Sequence, residues 1–283
     1  MGAISFPNLG ISINPSPVAF TVAGKDIYWY GIIIAAGFVL AVLYAMKRAS
    51  QFGLTEDHIL DMLFAAVPAA IVCARLYYCL FYWELYADDP ISILYIWEGG
   101  LAIYGGVIGA VLAVVIFCKV RKMPIGPMID IGGLGLLIGQ MIGRWGNFMN
   151  REAFGEYTDN LFAMRLPIDA VRPWDISATI SENIIEGTNY IQVHPTFLYE
   201  SAWNLLIFCL LIFYRKYRKF HGETTLLYLG GYGLGRCIIE GLRTDQLLIP
   251  GTELAVSQML AGALVVFSVA AWWLLRTKQK QES

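Results

Sequence analysis

Long apolar runs recur along the whole chain, separated by short polar stretches. Windows of about 17–25 predominantly apolar residues, the length that crosses a bilayer as a helix, fall near 29–47, 58–82, 99–118, 128–148, 197–214, 225–241 and 253–275. The pattern predicts an all-α integral membrane protein with seven transmembrane helices, organised as a single polytopic domain over residues 1–283. Basic residues then orient it. Lys47 and Arg48 follow the first span, Lys119, Arg121 and Lys122 the third, Arg215, Lys216, Arg218 and Lys219 the fifth, and Arg276, Lys278 and Lys280 the seventh. Lysine and arginine collect on the cytoplasmic side, so the N-terminus is expected outside and the C-terminus inside. The longest external stretch, 149–196, holds Pro167, Pro173 and Gly187 and is expected to form a small external cap. A second external segment, 1–28, has alternating apolar positions with Pro15 and Pro17, and is expected to lie along the membrane surface.

Composition agrees with that reading. Hydrophobic residues make up 57% and charged residues 15% of the 283, against about 45–50% and about 25% in soluble domains. A net charge of −2, with the basic residues in short clusters, argues against nucleic acid as a partner. Cys73, Cys79, Cys118, Cys209 and Cys237 all fall in or beside apolar runs without metal-like spacing, so they read as small apolar residues. The opening MGAISFPNLG lacks a basic region ahead of an apolar stretch, so no cleavable signal peptide is expected, and Phe6 breaks the myristoylation pattern. Glycines four apart, Gly105 and Gly109, Gly135, Gly139 and Gly143, and Gly231 and Gly235, read as sites of close helix approach.

Polar groups within these runs carry the chemical information. An ionisable side chain at mid-membrane costs about 2.5–3.5 kcal/mol on insertion scales, so Arg75, Arg144, Arg236 and Glu240 require a reason. Counting about 1.5 Å per residue puts the three arginines some 6–10 Å below the outer end of their spans, with Tyr30 and Tyr104 near the same level. Tyr232, Arg236, Glu240 and Arg243 follow one another at helical spacing along one face. Taken singly, Arg236 and Glu240 would neutralise each other and Arg144 would snorkel. Three arginines at one depth, with tyrosines and Asn147 beside them, point instead to an anionic ligand. The guanidinium fork suits phosphate, and this depth suits a phospholipid headgroup. His194 is expected to bind a loop to the bundle, while His58 and His221 are expected to be solvated interface residues. A transporter would continue its polar lining toward the cytoplasm, whereas the inner halves of these spans are nearly all apolar. An intramembrane serine protease would require a nucleophile motif that is absent.

GRWGNFMNREAFG at 143–155, with Arg144, Gly146, Asn147, Asn150, Glu152 and Gly155, resembles the signature stretch of the prolipoprotein diacylglyceryl transferases. WYG at 29–31, WEGGLAIYGG at 97–106, HPTFLYE at 194–200 and GYGLGRCIIEGLR at 231–243 follow in the family's order. The resemblance implies a bacterial inner-membrane enzyme with its site toward the outer leaflet. Its partners would be phosphatidylglycerol, the lipobox segment of a preprolipoprotein and membrane lipids. It would move the diacylglyceryl group to the lipobox cysteine thiol, forming a thioether and releasing glycerol phosphate, with no metal and no other cofactor. Arg144 and Arg236 would grip the phosphate and stabilise the leaving group. Asn147 and Glu152 would orient the headgroup or these arginines, Tyr30 and Tyr232 would line the cavity, and Arg75 and Arg243 would contribute to substrate binding. Some family members carry histidine where Tyr104 stands here. Neutral tyrosine is a poor base at pH 7, so either Tyr104 orients a group at the catalytic site or the thiol loses its proton another way, ionising beside Arg236 or Arg144 with the proton passing to Glu240, Glu152 or water.

Overall fold

A computed structural model describes residues 2–184, 187–249, 251–252 and 254–282. Glu253, the expected start of the seventh span, residues 185–186 of the expected cap, and the terminal Met1 and Ser283 lie outside the described residues. In chain order the elements are β1 (Ile4–Phe6), β2 (Ile11–Ile13), β3 (Val18–Val22), β4 (Lys25–Tyr28), α1 (Trp29–Arg48), α2 (Glu56–Phe81), α3 (Ile103–Val120) and α4 (Ile125–Asn150). After them come β5 (Met164–Pro167), α5 (Ala178–Glu182), β6 (Tyr190–Val193), α6 (Thr196–Tyr214), α7 (Glu223–Glu240) and α8 (Val256–Glu282).

The chain is mostly helical, and among the described residues α1, α2, α3, α4, α6 and α8 are long and apolar enough to cross a membrane. Helix α7 matches α3 in length at 18 residues but carries Glu223, Arg236 and Glu240. Large apolar side chains such as Phe64, Leu80, Ile103, Phe213 and Val266 are exposed on these helices. Water would penalise that surface at about 25 cal/mol per Å²; lipid does not. Cys79 and Cys118 are buried as expected, whereas Cys209 is exposed on α6.

The chain divides into two compact units, Leu43–Gly132 and the remainder, with the divisions falling inside α1 and α4. Within Leu43–Gly132, α2 starts on a capping box: the Thr55 hydroxyl accepts from the His58 N–H and the His58 ring accepts from the Thr55 N–H. His58, partly exposed at the start of α2, therefore also caps that helix. Helices α2 and α3 approach at glycine: a Cβ at Gly105 would come within 2.4 Å of the Cys73 carbonyl, and one at Gly109 within 2.6 Å of the Ala69 carbonyl. Ahead of α3, Gly99 and Gly100 take positive φ (94° and 70°), and a Cβ at Gly100 would lie 2.4 Å from Arg75 Nη1.

The larger unit overturns the all-α expectation. Strands β1 and β2 do not lie apart from the cap but join it, in a four-stranded antiparallel sheet of order β2-β1-β5-β6. Ile4 pairs with Ile13, Ser5 with Arg165, and Leu166 with Ile191. Beneath the sheet, Ile4, Phe6, Phe154, Leu166, Ile180, Ile191 and Val193 form one buried cluster with Phe148 of α4 and Phe197 of α6. The cap is thus anchored on the end of α4 and the start of α6. Strands β3 and β4 form a separate hairpin whose tip, Ala23 and Gly24, takes positive φ at both positions (50° and 76°), the geometry that matches strand twist.

Candidate active site

Helices α4, α6 and α7 of the larger unit bring their ionisable residues to one point, and that point is Glu200. Lying in the first turns of α6, its carboxylate is 5% exposed and meets Arg144 Nη2 at 2.6 Å, Arg236 Nη1 at 3.2 Å and Arg243 Nη1 at 3.3 Å. Arg236 also pairs through Nη2 with Glu240 one turn along α7, at 2.7 Å. Ser257 donates its hydroxyl to Glu240, and Gln246 donates to the Glu240 carbonyl. Arg243 grips Asp245 with both arms of its fork, Nε at 2.8 Å and Nη2 at 2.7 Å. Arg144, Arg236 and Arg243 are balanced by Glu200, Glu240 and Asp245. That balance allows the ionised groups on α4, α6 and α7 to sit within an apolar bundle, with Arg243 and Asp245 at its edge.

A second layer runs from α4 into the cap. Arg144 Nη1 donates to Asn147 Oδ1 at 3.2 Å, Asn147 donates to Glu152 Oε1 at 3.0 Å, and Asn150 donates to the same oxygen at 3.3 Å. Glu152 Oε2 accepts from Arg172 at 2.9 Å. The chain turns sharply here, with Arg151 and Ala153 both at positive φ (54° and 58°). Gly155 follows with its backbone against Leu242, whose carbonyl would lie 2.5 Å from an added Cβ. This close contact, with the Gly155 to Arg243 bridge, ties the turn after α4 to the segment carrying Arg243 and Asp245. Tyr30 packs its ring on Gly146, 2.9 Å from where a Cβ would stand. Tyr232, Trp203, Asn204, Gly235 and Ile239 surround Glu200 and Arg236 around a small cavity. At Gly235 a Cβ would lie 2.2 Å from the Trp203 ring, whose N–H donates to the Gly231 carbonyl at 2.9 Å. Glycine at 231 and 235 therefore lets α6 and α7 close around the ion cluster.

Electrostatics at the edge of the cluster follow from burial and pairing. Burial opposes the charge on Arg243, but Asp245, with Glu200 and Glu240 behind it, outweighs this and holds its proton above the usual arginine range. Burial would likewise raise the Asp245 carboxyl, yet the Arg243 fork keeps it below the ordinary carboxylate value. Asp175, in the cap, is pushed up by burial and by Asp245. His194 is pushed down by burial, and its ring faces the Tyr199 hydroxyl and Asn160 at 3.3 and 3.4 Å. Those contacts tie the loop before α6 to the cap, as expected of a structural histidine.

Arg144, Arg236, Arg243, Glu240, Asn147, Glu152, Tyr30 and Tyr232 all belong to the larger unit. Arg75 and Tyr104 belong to Leu43–Gly132. Tyr104 lies in the first turn of α3, 39% exposed. Arg75 is buried, and its guanidinium donates to the carbonyls of Ile93 (2.8 Å), Ser92 (2.7 Å), Gly99 (2.7 Å) and Gly100 (3.2 Å).

A family model described as prolipoprotein diacylglyceryl transferase matches residues 17–274. The chain belongs to that family. Among curated proteins named phosphatidylglycerol--prolipoprotein diacylglyceryl transferase, that of Halalkalibacterium halodurans is 41% identical over 267 residues, 94% of this chain and 89% of its own. The Geobacillus kaustophilus protein is 42% identical over 268 residues, covering 94% and 95%. The Oceanobacillus iheyensis protein is 46% identical over 235 residues, covering 81% and 78%. As a member of this family the chain is a multi-pass membrane protein. In this diacylglyceryl transferase, sequence reasoning missed Glu200, Asp245 and Arg172. The signal for Glu200 was present: it closes HPTFLYE and stands within an apolar run, where the insertion cost that singled out Glu240 applies equally. Asp245 and Arg172 lie outside the spans, where a charge carries no such flag.

Proposed function

We propose that this chain transfers the diacylglyceryl group of phosphatidylglycerol to the cysteine thiol of a preprolipoprotein lipobox, the first step of lipoprotein maturation. The observation that carries the reading is the convergence of Arg144 and Arg236 on one buried point between α4, α6 and α7. Bond by bond, the thiol gives up its proton, sulfur attacks the glyceryl carbon, and the carbon–oxygen bond to phosphate breaks. The leaving glycerol phosphate carries off the new negative charge. Charge develops on the phosphate, and paired guanidinium donors aimed there lower the barrier. Arginine beside the thiol favours its ionised form, with Glu240, Glu152 or water taking the proton. Asn147 and Glu152 orient Arg144 through their hydrogen bonds, Asp245 fixes Arg243, and Tyr30 and Tyr232 line the approach.

The reading places seven spans across the bacterial inner membrane, α7 being the sixth in order and α8 the seventh, with the N-terminus and cap outside and the site toward the outer leaflet. Arg75 is assigned to the 92–100 loop instead of the headgroup, because carbonyls take its guanidinium donors. Tyr104 is assigned an orienting role.

Reconstitution of the purified protein with phosphatidylglycerol and a one-cysteine lipobox peptide tests the reaction, with mass spectrometry reading the diacylglyceryl adduct. The wild type is expected to form it and Arg144→Ala and Arg236→Ala to lose it. No adduct under conditions where a related transferase works would overturn the reading. Tyr104→Phe is expected to retain turnover; its loss with lipid binding intact would assign the proton to the tyrosine.

A further inference from the structure

Glu200 meets the two arginines that the proposed reaction needs for phosphate. Arg236 is engaged by carboxylates on both Nη atoms, Nη1 on Glu200 and Nη2 on Glu240. Arg144 has Nη2 on Glu200 at 2.6 Å and Nη1 on Asn147. The cavity beside Glu200, Tyr232 and Arg236 is about 10 Å³, near the lower limit for a single water. A phosphate seated between these guanidinium groups must therefore take N–H donors that Glu200 now holds. Arg243 is different: Asp245 holds Nε and Nη2 at 2.8 and 2.7 Å, and the remaining arm reaches Glu200 at 3.3 Å. This pairing keeps a third positive charge against Glu200 whichever anion the other two arginines hold.

We propose that Glu200 is an exchangeable counter-ion, a positioning residue that yields Arg144 and Arg236 to the substrate phosphate and takes them back as the product phosphate leaves. The inference rests on the transferase reading of the same site. In the resting state the carboxylate keeps the arginines neutralised and pointed at one spot within the bundle. After transfer, the departing glycerol phosphate carries one more negative charge than the diester and would bind the Arg144 and Arg236 guanidinium groups tightly. Return of Glu200 competes with it. Without that competition substrate and product are both held more firmly, which lowers KM without raising kcat and makes product release limiting.

Glu200→Gln keeps the side chain's length and removes its charge, and Glu200→Asp keeps the charge but withdraws it by one methylene. For Glu200→Gln we expect KM for phosphatidylglycerol to fall several-fold, inhibition by added glycerol phosphate to strengthen about tenfold, and steady-state kcat to drop at least tenfold. The first turnover should appear as a burst of adduct. Glu200→Asp should fall between wild type and Glu200→Gln on each measure. A folded Glu200→Gln protein with unchanged or raised KM, and unaltered inhibition by glycerol phosphate, would overturn the proposal. If Glu200→Gln does not fold, Glu200→Asp decides alone: inhibition no stronger than in wild type overturns it. Failure of the wild type to form adduct would instead remove the transferase reading, so the two failures are distinguishable.

Discussion

Two buried glutamates, Glu200 on α6 and Glu223 on α7, meet arginine in opposite ways. Glu223 opens α7 with no exposure and accepts from the Tyr214 hydroxyl (2.7 Å), the Lys219 backbone N–H (2.5 Å), Trp272 Nε1 (2.9 Å) and Arg276 Nη1 (3.0 Å). The Arg276 guanidinium also lies over the Tyr214 and Trp272 rings, at 5.9 and 5.1 Å. Here one carboxylate has one cation and three neutral donors, and every partner is on α6, α8 or the turn before α7. Glu200, toward the other end of α6, has three cations. A buried carboxylate surrounded by neutral donors gains nothing by exchanging them, and the cluster acts as a lock between helices. One shared among three guanidinium groups leaves those groups able to accept another anion. On the proposed reading, chemistry therefore belongs at the Glu200 end of α6 and stability at the Glu223 end.

Breaking each cluster should produce opposite phenotypes. Arg144→Ala and Arg236→Ala are expected to lower transfer by about 10²–10³-fold, the usual cost of removing one donor to developing charge. Thermal stability should change little, because Glu200 keeps two arginines. The check is adduct yield beside a melting curve for the same preparation. Glu223→Ala takes a fully buried acceptor from Tyr214, Trp272 and the half-buried Arg276 and is expected to cost about 1–3 kcal/mol of stability, as buried donors left unpaired do. Its transfer rate per folded molecule should stay within about twofold of wild type. If Glu223→Ala lost activity while melting normally, the division of labour between the clusters would be wrong.

The cap sharpens the comparison, since its core joins the helices bearing Arg144 and Glu200. Leu166 is fully buried in the cluster that includes Phe148 and Phe197. Leu166→Ala should cost about 2–5 kcal/mol, as truncations in packed cores do. If α4 and α6 loosen at this end first, transfer should fall at temperatures below the global melting point, whereas Glu223→Ala should lose activity only on melting.

The helices were legible because each requires a long uninterrupted apolar run: α1 (Trp29–Arg48) begins where its run does, although α8 (Val256–Glu282) continues well past the expected end at 275. The sheet was not. Its strands are three or four residues long, and β1 finds β5 about 160 positions away, a pairing set by tertiary burial with no local periodicity to announce it. The arginines show the same limit at the site. Arg75 and Arg144 have equal cost and similar depth in the sequence, yet backbone carbonyls surround one and a glutamate meets the other. Cost identifies a residue that must have a partner; only the fold supplies it. Glu200 carries the same cost as Glu240 within its apolar run, yet only the fold shows that its partners are three arginines from other elements.

The smallest expected effect separates two aspartates at the edge of the ion cluster by sign. Asp245, held by the Arg243 fork, has its folded-state carboxyl below the ordinary value. Its contribution to stability is therefore present above the unfolded pKa of about 3.9 and is lost as pH falls through the folded value. Asp175 is raised by burial and by Asp245, so its contribution is present below the unfolded pKa and lost as pH rises through the folded value. At neutral pH Asp245→Asn should lower the melting temperature by a few degrees and converge on wild type in acid. Asp175→Asn should raise it at neutral pH, where the buried charge is a liability, and lose the advantage in acid. Melting curves between about pH 3 and pH 7 check both. Shifts of the same sign at neutral pH would mean that Arg172 compensates the charge on Asp175 as fully as Arg243 compensates Asp245, despite the bidentate grip that only Arg243 provides here.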